Sequence, residues 1–302
     1  MALVEYSPVL ANSISGLAVA AAEPLLAIDP PRFELLLLCL APVMLVVLWW
    51  KDVIRPSSFE RNPPRSVDHQ PIAVWLLCGA AVLFGQMSAG LLSLKLPAEI
   101  LGPAESLQHT AVRYLAIYAI CLPLALVLFK LVNAGSADSK SGTLSPLGLL
   151  KGGLLLLAIY PILAGIGHLS MIVATHFGPG PPEAIAHTQL LLITQNATDP
   201  YGWILIACVI IGAPIFEEIL YRGFVQSAVL RLCGSAWLSI LITTALFTAI
   251  HLSVAQPHAL PVLAALSIAM GIAFERSKSL AWPIGMHIVF NALNVTLAIA
   301  ST

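Results

Sequence analysis

Three charged residues stand close together in a part of the chain that is otherwise apolar enough to cross a membrane. Glu217, Glu218 and Arg222 interrupt the apolar run over residues 203–231. A charge at bilayer depth costs at least about 2.5–3.5 kcal/mol, so a charged residue there indicates a functional site. Glu218 and Arg222 share a helix face and can form an ion pair. Glu217 points about 100° away from Glu218 around the helix axis, so it is free of this ion pair. Its carboxylate can therefore take a proton from water and return it to a leaving amine.

Two later apolar segments carry further polar residues at helical spacing. Phe247 and His251 are four residues apart, and so are His287 and Asn291. Each pair therefore lies on one helix face, and together they supply two imidazoles and an amide that can donate and accept hydrogen bonds. Taken singly, each group is explained better by a hydrogen bond between membrane helices than by a catalytic role.

The composition indicates the environment of these residues. Of the chain's 302 residues, 59% are hydrophobic and only 10% are charged, and the mean hydropathy is +0.92. These values are typical of a protein that spans a membrane several times. The net charge of −1 and the scattered basic residues give no surface for nucleic acid, which excludes that class of partner. We predict an all-α, polytopic membrane helix bundle.

Eight apolar segments are near the length that a membrane-spanning helix needs. They cover residues 33–50, 71–94, 111–132, 147–175, 203–231, 235–253, 260–275 and 279–300. Most lysine and arginine residues fall in the turns after the first, third, fifth and seventh segments, which the positive-inside rule places in the cytoplasm. The sequence thus predicts an integral membrane protein with both termini outside.

The segments group into three parts along the chain. We expect an extension that lies at the membrane interface, then N-terminal transmembrane helices, then a catalytic core, at residues 1–32, 33–200 and 201–302. At about 1.5 Å per residue, Glu217, His251, His287 and Asn291 lie about 14–24 Å from the cytoplasmic ends of their helices. Four polar groups from three helices can therefore share one layer of the membrane.

Three other polar residues have simpler interpretations. Gln86 and His168 lie in the second and fourth segments, where we expect each to form an interhelical hydrogen bond. Glu275 is next to Arg276 and near Lys278 at a predicted cytoplasmic helix end. We expect water to solvate its charge there.

The three motifs together resemble those of the CAAX protease and bacteriocin-processing (CPBP) family of intramembrane proteases, also called the Abi family, which includes the type II CAAX prenyl endopeptidases. The family patterns E-E-x-x-x-R, F-x-x-x-H and H-x-x-x-N match Glu217, Glu218 and Arg222; Phe247 and His251; and His287 and Asn291. The resemblance covers about residues 200–295. Before the last motif many members have a T-G-S-L-like turn, where this chain has Ser277-Lys278-Ser279-Leu280.

The resemblance implies an eight-helix enzyme that cleaves peptide bonds in or near the membrane. By analogy with the family, Glu217 would activate a water molecule and His251 would help to position it. His287 and Asn291 would stabilise the oxyanion that forms. The remaining motif residues would support this site: Glu218, Arg222 and Phe247.

The metal requirement is open at this stage. The family name often includes the word metalloprotease, and Glu217, His251 and His287 are candidate ligands of a His₂Glu zinc site with an open fourth position. The chain has no H-E-x-x-H motif. The resemblance to the prenyl endopeptidases favours a glutamate-activated water without an obligatory metal.

The resemblance also implies a substrate class. The substrate would be a membrane-associated protein or peptide, of the prenylated CAAX type or bacteriocin-like, and the expected location is the bacterial cytoplasmic membrane. Two other functions stay open. One is a non-catalytic membrane scaffold or immunity protein with the protease fold. The other is a proton-coupled transporter, against which the lack of evident duplicated halves argues.

Overall fold

A computed structural model of the protein describes residues 30–104, 106–136, 144–178, 188–196 and 198–300, and within these ranges all regular secondary structure is helical. Most of the predicted N-terminal extension, residues 1–29, lies outside the described residues. The helices in chain order are α1 (Pro30–Trp50), α2 (Ser58–Arg61), α3 (Ile72–Ser93), α4 (Ala98–Leu101), α5 (Leu107–Asn133), α6 (Pro146–Phe177), α7 (Thr188–Gln195), α8 (Pro200–Cys233), α9 (Ala236–Ile250), α10 (Leu260–Ser277) and α11 (Ala281–Ala300).

Seven helices in the described part of the chain are long and apolar enough to cross a membrane: α3, α5, α6, α8, α9, α10 and α11. The apolar part of α1, Leu35–Trp50, is shorter. Large apolar side chains are exposed on the outer faces of the bundle, as Phe84 and Met87 on α3 show. These observations confirm the all-α polytopic bundle, and the chain is an integral membrane protein.

Helix α8 lies at the centre of the bundle. Half of its apolar window is buried, against 22–39% for the other six spans in the described residues. Two stretches of α8 are wound as π-helix, Cys208–Gly212 and Ile219–Gln226, on either side of the short α-helical stretch Ala213–Glu218. π-helical turns are rare in proteins, and those that occur often lie at functional sites. The sequence analysis did not predict them.

Helices α6 and α11 pack with their backbones in direct contact. A Cβ added to Gly152 would collide with the carbonyl group of Trp282, and one added to Gly285 would collide with that of Leu149. Small residues permit this close approach of membrane helices. The contact fixes the first turns of α11, and His287 follows two residues after Gly285.

The connection between α1 and α3 folds against the ends of α9 and α10. Arg276 donates hydrogen bonds from Nη2 to the carbonyl oxygens of Asp52 and Ser58. On α9, the indole Nε1 of Trp237 donates to the carbonyl oxygen of Arg55. The connection therefore covers the helix ends that the sequence analysis placed next to water.

This cover corrects the prediction for Glu275. The carboxylate of Glu275 is fully buried, and its Oε1 accepts hydrogen bonds from Arg65 Nε at 3.2 Å and from Gln226 Nε2 at 2.7 Å. Arg65 also donates from Nη2 to Ser227 Oγ at 2.9 Å. The prediction of a solvated charge was wrong because a residue 210 positions earlier in the chain packs over it.

The turn between α10 and α11 departs from ideal backbone geometry at one residue. Lys278 ends α10 with φ at +56°, in the left-handed region that favours glycine. By contrast, α8 ends at Gly234 with φ at +64°, and glycine is the usual residue in this conformation. The T-G-S-L-like turn of the family has glycine where this chain has Lys278.

Candidate active site

Glu218 and Arg222 form the ion pair that their spacing predicts. Arg222 Nη1 donates to Glu218 Oε1 at 2.9 Å, and both side chains are fully buried. Arg222 Nη2 also donates to the carbonyl oxygen and the Oγ of Ser267 on α10, at 3.1 and 2.8 Å. The hydroxyl of Thr244 on α9 lies 3.0 Å from Ser267 Oγ. The pair thus joins three helices around the site.

His287 is held between the two adjacent glutamates of α8. Its Nδ1 lies 2.9 Å from Glu218 Oε1, and because an ionised carboxylate only accepts hydrogen bonds, Nδ1 carries the hydrogen. Its Nε2 lies 4.0 Å from Glu217 Oε2. Glu218 therefore orients His287 so that the opposite ring nitrogen faces Glu217. Helical spacing cannot predict the contact between Glu218 and His287, because the two residues are 69 positions apart in the chain.

Glu217 is the accessible member of the glutamate pair. Its side chain is 22% exposed, whereas that of Glu218 is fully buried. Its Oε2 is itself buried, and among the described residues no group forms a hydrogen bond with it. Arg222 pairs with Glu218, whereas Glu217 lies 4.0 Å from His287, as the different helical directions of the two acids allow.

Phe247 packs at the centre of the charged residues and is fully buried. Its ring centroid lies 4.6 Å from that of His251 and 6.0 Å from that of His287. The guanidinium carbon of Arg222 lies 4.9 Å from the Phe247 ring centroid, within the range of a cation–π contact. Tyr221 packs edge-on against the same ring at 5.3 Å. Phe247 thus fixes the spacing between both imidazoles and the guanidinium.

His251 is the first residue after α9 and is partly exposed. Its Nδ1 donates to the carbonyl oxygen of Phe247 at 2.7 Å, because a carbonyl only accepts. In the neutral ring Nε2 is then a hydrogen-bond acceptor. The rings of His251 and His287 both pack against Phe247, and Nε2 of His287 lies 4.0 Å from Glu217. The structure therefore groups both predicted imidazoles around Phe247.

Asn291 joins the site to a π-helical stretch of α8. Its Nδ2 donates to the carbonyl oxygen of Val209 at 2.8 Å. The amide of Ala213 donates to Cys208 instead of Val209, and Pro214, one residue later, has no N–H. Asn291 supplies the donor that the Val209 carbonyl lacks within its own helix. One amide hydrogen of Asn291 remains for another acceptor.

Each histidine among the candidate zinc ligands has one ring nitrogen, Nε2, with no hydrogen bond to the described residues. Across the residues that the structure describes, there is no group of three or more His, Cys, Asp or Glu side chains placed to hold a metal ion. Nδ1 of His287 and Nδ1 of His251 both bind protein groups, which leaves Nε2 of each ring for a metal ligand bond. These contacts are compatible with the predicted His₂Glu zinc site, and the reaction proposed for this site uses no metal.

Two polar residues that we expected to join helices do not. Neither Gln86 nor His168 has a hydrogen bond to the described part of the protein, and His168 is exposed on the surface of α6. The interhelical bonds at this site come from Ser267 and Thr244, which the sequence analysis missed. Serine and threonine are common in membrane helices, and their local sequence carries no signal for such contacts.

Comparison with known protein families agrees with the three motifs. Residues 199–293 match the model of the family described as Type II CAAX prenyl endopeptidase Rce1-like. The match begins at the start of α8 and ends within α11, and it includes Glu217, His251, His287 and Asn291. No curated protein and no solved structure matches the chain. The family match confirms the resemblance. Residues 199–293 are therefore similar to the type II CAAX prenyl endopeptidase Rce1-like family, a family of membrane proteases.

Proposed function

We propose that this protein is an intramembrane endopeptidase in which Glu217 activates a water molecule. The contrast between the two adjacent glutamates supports this proposal most strongly. Glu218 is buried and engaged by both Arg222 and His287. Glu217 is partly exposed, has no hydrogen bond to Oε2 from the described residues, and lies 4.0 Å from the second nitrogen of His287.

The proposed reaction moves one proton by way of Glu217. The carboxylate takes a proton from water while the water oxygen attacks the peptide carbonyl carbon. The protonated carboxyl then gives this proton to the departing amine as the carbon–nitrogen bond breaks. His251 Nε2, an acceptor in the neutral ring, holds the second hydrogen of the attacking water.

His287 and Asn291 stabilise the negative charge that develops on the carbonyl oxygen. The Glu218 carboxylate accepts a hydrogen bond from Nδ1 of His287 and so directs Nε2 toward the reacting carbonyl group. With both ring nitrogens protonated, Nε2–H donates to the oxyanion, and the remaining amide hydrogen of Asn291 adds a second donor. Loss of one such donor typically costs about 10²–10³ in rate.

The proposed substrates are membrane-associated proteins or peptides, because Glu217 lies within a membrane-spanning helix. The description of the matched family supports prenylated CAAX-type substrates, and bacteriocin-like peptides are the second class that we propose. The proposal includes the bacterial cytoplasmic membrane as the location, with both termini outside. A zinc enzyme would lose activity with a chelator and regain it with Zn²⁺, whereas the metal-free reaction predicts activity that the chelator does not change.

A comparison of protein termini in cells tests the function and can identify the substrate in the same experiment. Cells that express the wild type are compared with cells that express Glu217→Gln at equal levels. The control is Glu60→Gln, which makes the same chemical change at an exposed position in α2. We expect new protein ends with the wild type and the control only.

Three results would contradict the proposal. Identical termini in all three strains would remove the basis for an endopeptidase. An unchanged phenotype with Glu217→Gln would favour the scaffold. Ion-dependent flux in liposomes without a cleaved product would favour the transporter.

A further inference from the structure

A cavity of about 360 Å³ lies between α3 and α5, outside the four predicted catalytic residues. Five of its six lining residues carry a polar group; the lining consists of Gln86, Thr110, Arg113, Tyr114, Ile117 and Tyr118. Gln86 makes no hydrogen bond to the described part of the protein. The volume is in the range of ligand sites, and the amide, hydroxyl and guanidinium groups that converge on it could fix the orientation of a ligand.

Arg113 gives the cavity its chemical character. Its Nε donates to Ser93 Oγ at 3.2 Å, and Ser93 in turn donates to the carbonyl oxygen of Gly90 at 2.7 Å. This anchor on Nε orients the planar guanidinium. No acidic side chain in the described ranges forms an ion pair with Arg113. A cation in a membrane-spanning helix that no acid of the described residues neutralises is a candidate partner for an anionic ligand.

The cavity and the candidate active site share a wall. The ring of Tyr118 lines the cavity and packs edge-on against Phe216, the neighbour of Glu217, with 6.4 Å between ring centroids. The same ring lies against Gly212 of α8, where an added Cβ would come within 3.0 Å of it. Arg113 precedes Tyr118 by five residues of α5, or about 7.5 Å along the helix axis. An extended peptide covers this distance with about two to three residues.

We propose that this cavity receives the carboxyl terminus of a peptide substrate and that Arg113 binds the terminal carboxylate. The inference rests on the proposed peptidase function. The planar guanidinium can donate two parallel hydrogen bonds to a carboxylate. Gln86 donates a further hydrogen bond from its amide. Arg113 is therefore a specificity residue, which fixes how far from the peptide end the chain is cut.

The test uses two synthetic prenylated CAAX peptides with a fluorescent label, one ending in a free carboxylate and the other in a carboxamide. Their binding to the full-length Glu217→Gln protein, which leaves both peptides uncut, is measured in nanodiscs of uncharged lipid. We expect the carboxylate peptide to bind about 10–100-fold more tightly, as charge-assisted hydrogen bonds allow. Adding Arg113→Gln should abolish this difference.

Two further variants keep the result interpretable. Lys95→Gln also removes one positive charge, from an exposed residue just beyond α3, and should leave the preference unchanged. Arg113→Lys keeps the charge without the planar fork, so we expect a preference between those of the wild type and Arg113→Gln. Each variant is first shown to have the thermal unfolding midpoint of its parent within error, and Arg113→Lys decides the test if Arg113→Gln does not fold.

Several outcomes would overturn the inference. The inference fails if the two peptides bind equally before Arg113 is changed or if neither peptide binds. It also fails if the preference for the carboxylate peptide remains in both Arg113 variants. An Arg113 effect that is equal for both peptides and appears only with anionic lipid would assign the cavity to a lipid headgroup instead. A cleavage assay with the catalytically intact protein separates this inference from the proposed function. Cleavage without a preference for the carboxylate peptide would contradict this inference alone. Arg113-dependent binding without cleavage would contradict the proposed function.

Discussion

Two buried ion pairs contact the C-terminal half of α8, and they differ in how completely their polar atoms are hydrogen-bonded. Arg65 and Glu275 are joined at 3.2 Å, and Arg222 and Glu218 at 2.9 Å, with both pairs almost completely buried. Both oxygens of Glu275 accept hydrogen bonds from protein groups. In the other pair, Glu218 Oε2 and Arg222 Nε have no hydrogen-bond partner among the described residues, and neither has Oε2 of the adjacent Glu217.

We propose that the difference separates a structural pair from one that serves a reaction, although Oε1 of Gln226, which contacts Glu275, also has no partner among the described residues. An unsatisfied buried polar atom costs about 1–3 kcal/mol, so satisfied networks are expected wherever stability alone is at stake. The Arg65–Glu275 pair fixes the connection between α1 and α3 to the bundle. The Arg222–Glu218 pair instead holds His287 beside an accessible carboxylate, and we infer that its unsatisfied atoms persist because catalysis uses this arrangement.

The largest expected effect is on stability, from Arg65→Met. This change leaves the Glu275 carboxylate buried without a cation, which should lower the free energy of unfolding by roughly 3–5 kcal/mol. The cleavage rate per folded molecule should stay close to that of the wild type. Denaturant titration in mixed micelles measures the first quantity, and a peptide cleavage assay at saturating substrate measures the second.

The double variant Arg65→Met with Glu275→Leu is the control for this prediction. It removes both charges and should recover much of the lost stability, since an apolar pair of similar volume often replaces a buried ion pair at no cost. A fall in kcat comparable to that of an active-site variant would show that the two pairs are functionally alike and would remove the contrast.

The next effect is on catalysis, from Glu218→Gln. The neutral amide forms a weaker hydrogen bond with Nδ1 of His287 than the carboxylate does, so the ring is no longer held toward the oxyanion and kcat should fall about 10²-fold. Ser267→Ala is the matched control, because it removes a hydrogen bond to Arg222 and leaves His287 in place. This control should lower stability and keep kcat. Equal losses of kcat in the two variants would mean that Glu218 acts only by holding Arg222.

The sequence predicted what depends on composition and on local helical spacing. The apolar segments gave the positions of the spanning helices, and the four-residue spacing gave the Glu218–Arg222 pair and the different direction of Glu217. Contacts between distant residues were not predictable in this way. The Glu218–His287 bond spans 69 positions and the Arg65–Glu275 bond spans 210, and no local pattern encodes either.

Backbone irregularities were also beyond the sequence analysis. The π-helical stretch at Cys208–Gly212 leaves the Val209 carbonyl without an intrahelical donor, and this explains why Asn291 contacts α8. Pro214 contributes to that geometry, but a single proline near the middle of a long apolar run predicts a kink as readily as a π turn. The side chain of Gln86 was misassigned for a similar reason, because spacing along α3 does not show whether a partner helix supplies an acceptor.

The smallest predicted effect is on stability at the turn after α10. Lys278 has φ at +56°, so Lys278→Gly should raise the free energy of unfolding by up to about 1 kcal/mol without a change in kcat. Gly234→Ala is the reciprocal control. Gly234 has φ at +64° and no neighbour within 4 Å of an added Cβ, so this variant should lose a similar amount through backbone strain alone. A loss of stability in Lys278→Gly would show that contacts of the lysine side chain outweigh the backbone term.

The kcat of Glu217→Gln, measured with purified protein and a cleavable membrane peptide, tests the central claim most directly. If Glu217 is the general base, kcat should fall by about 10²–10⁴-fold. Substrate affinity and the free energy of unfolding should stay near the wild-type values, and Glu60→Gln should behave as the wild type. A folded Glu217→Gln protein that cleaves the peptide at the wild-type rate would contradict the account, because the accessible carboxylate beside His287 would then have no part in the chemistry.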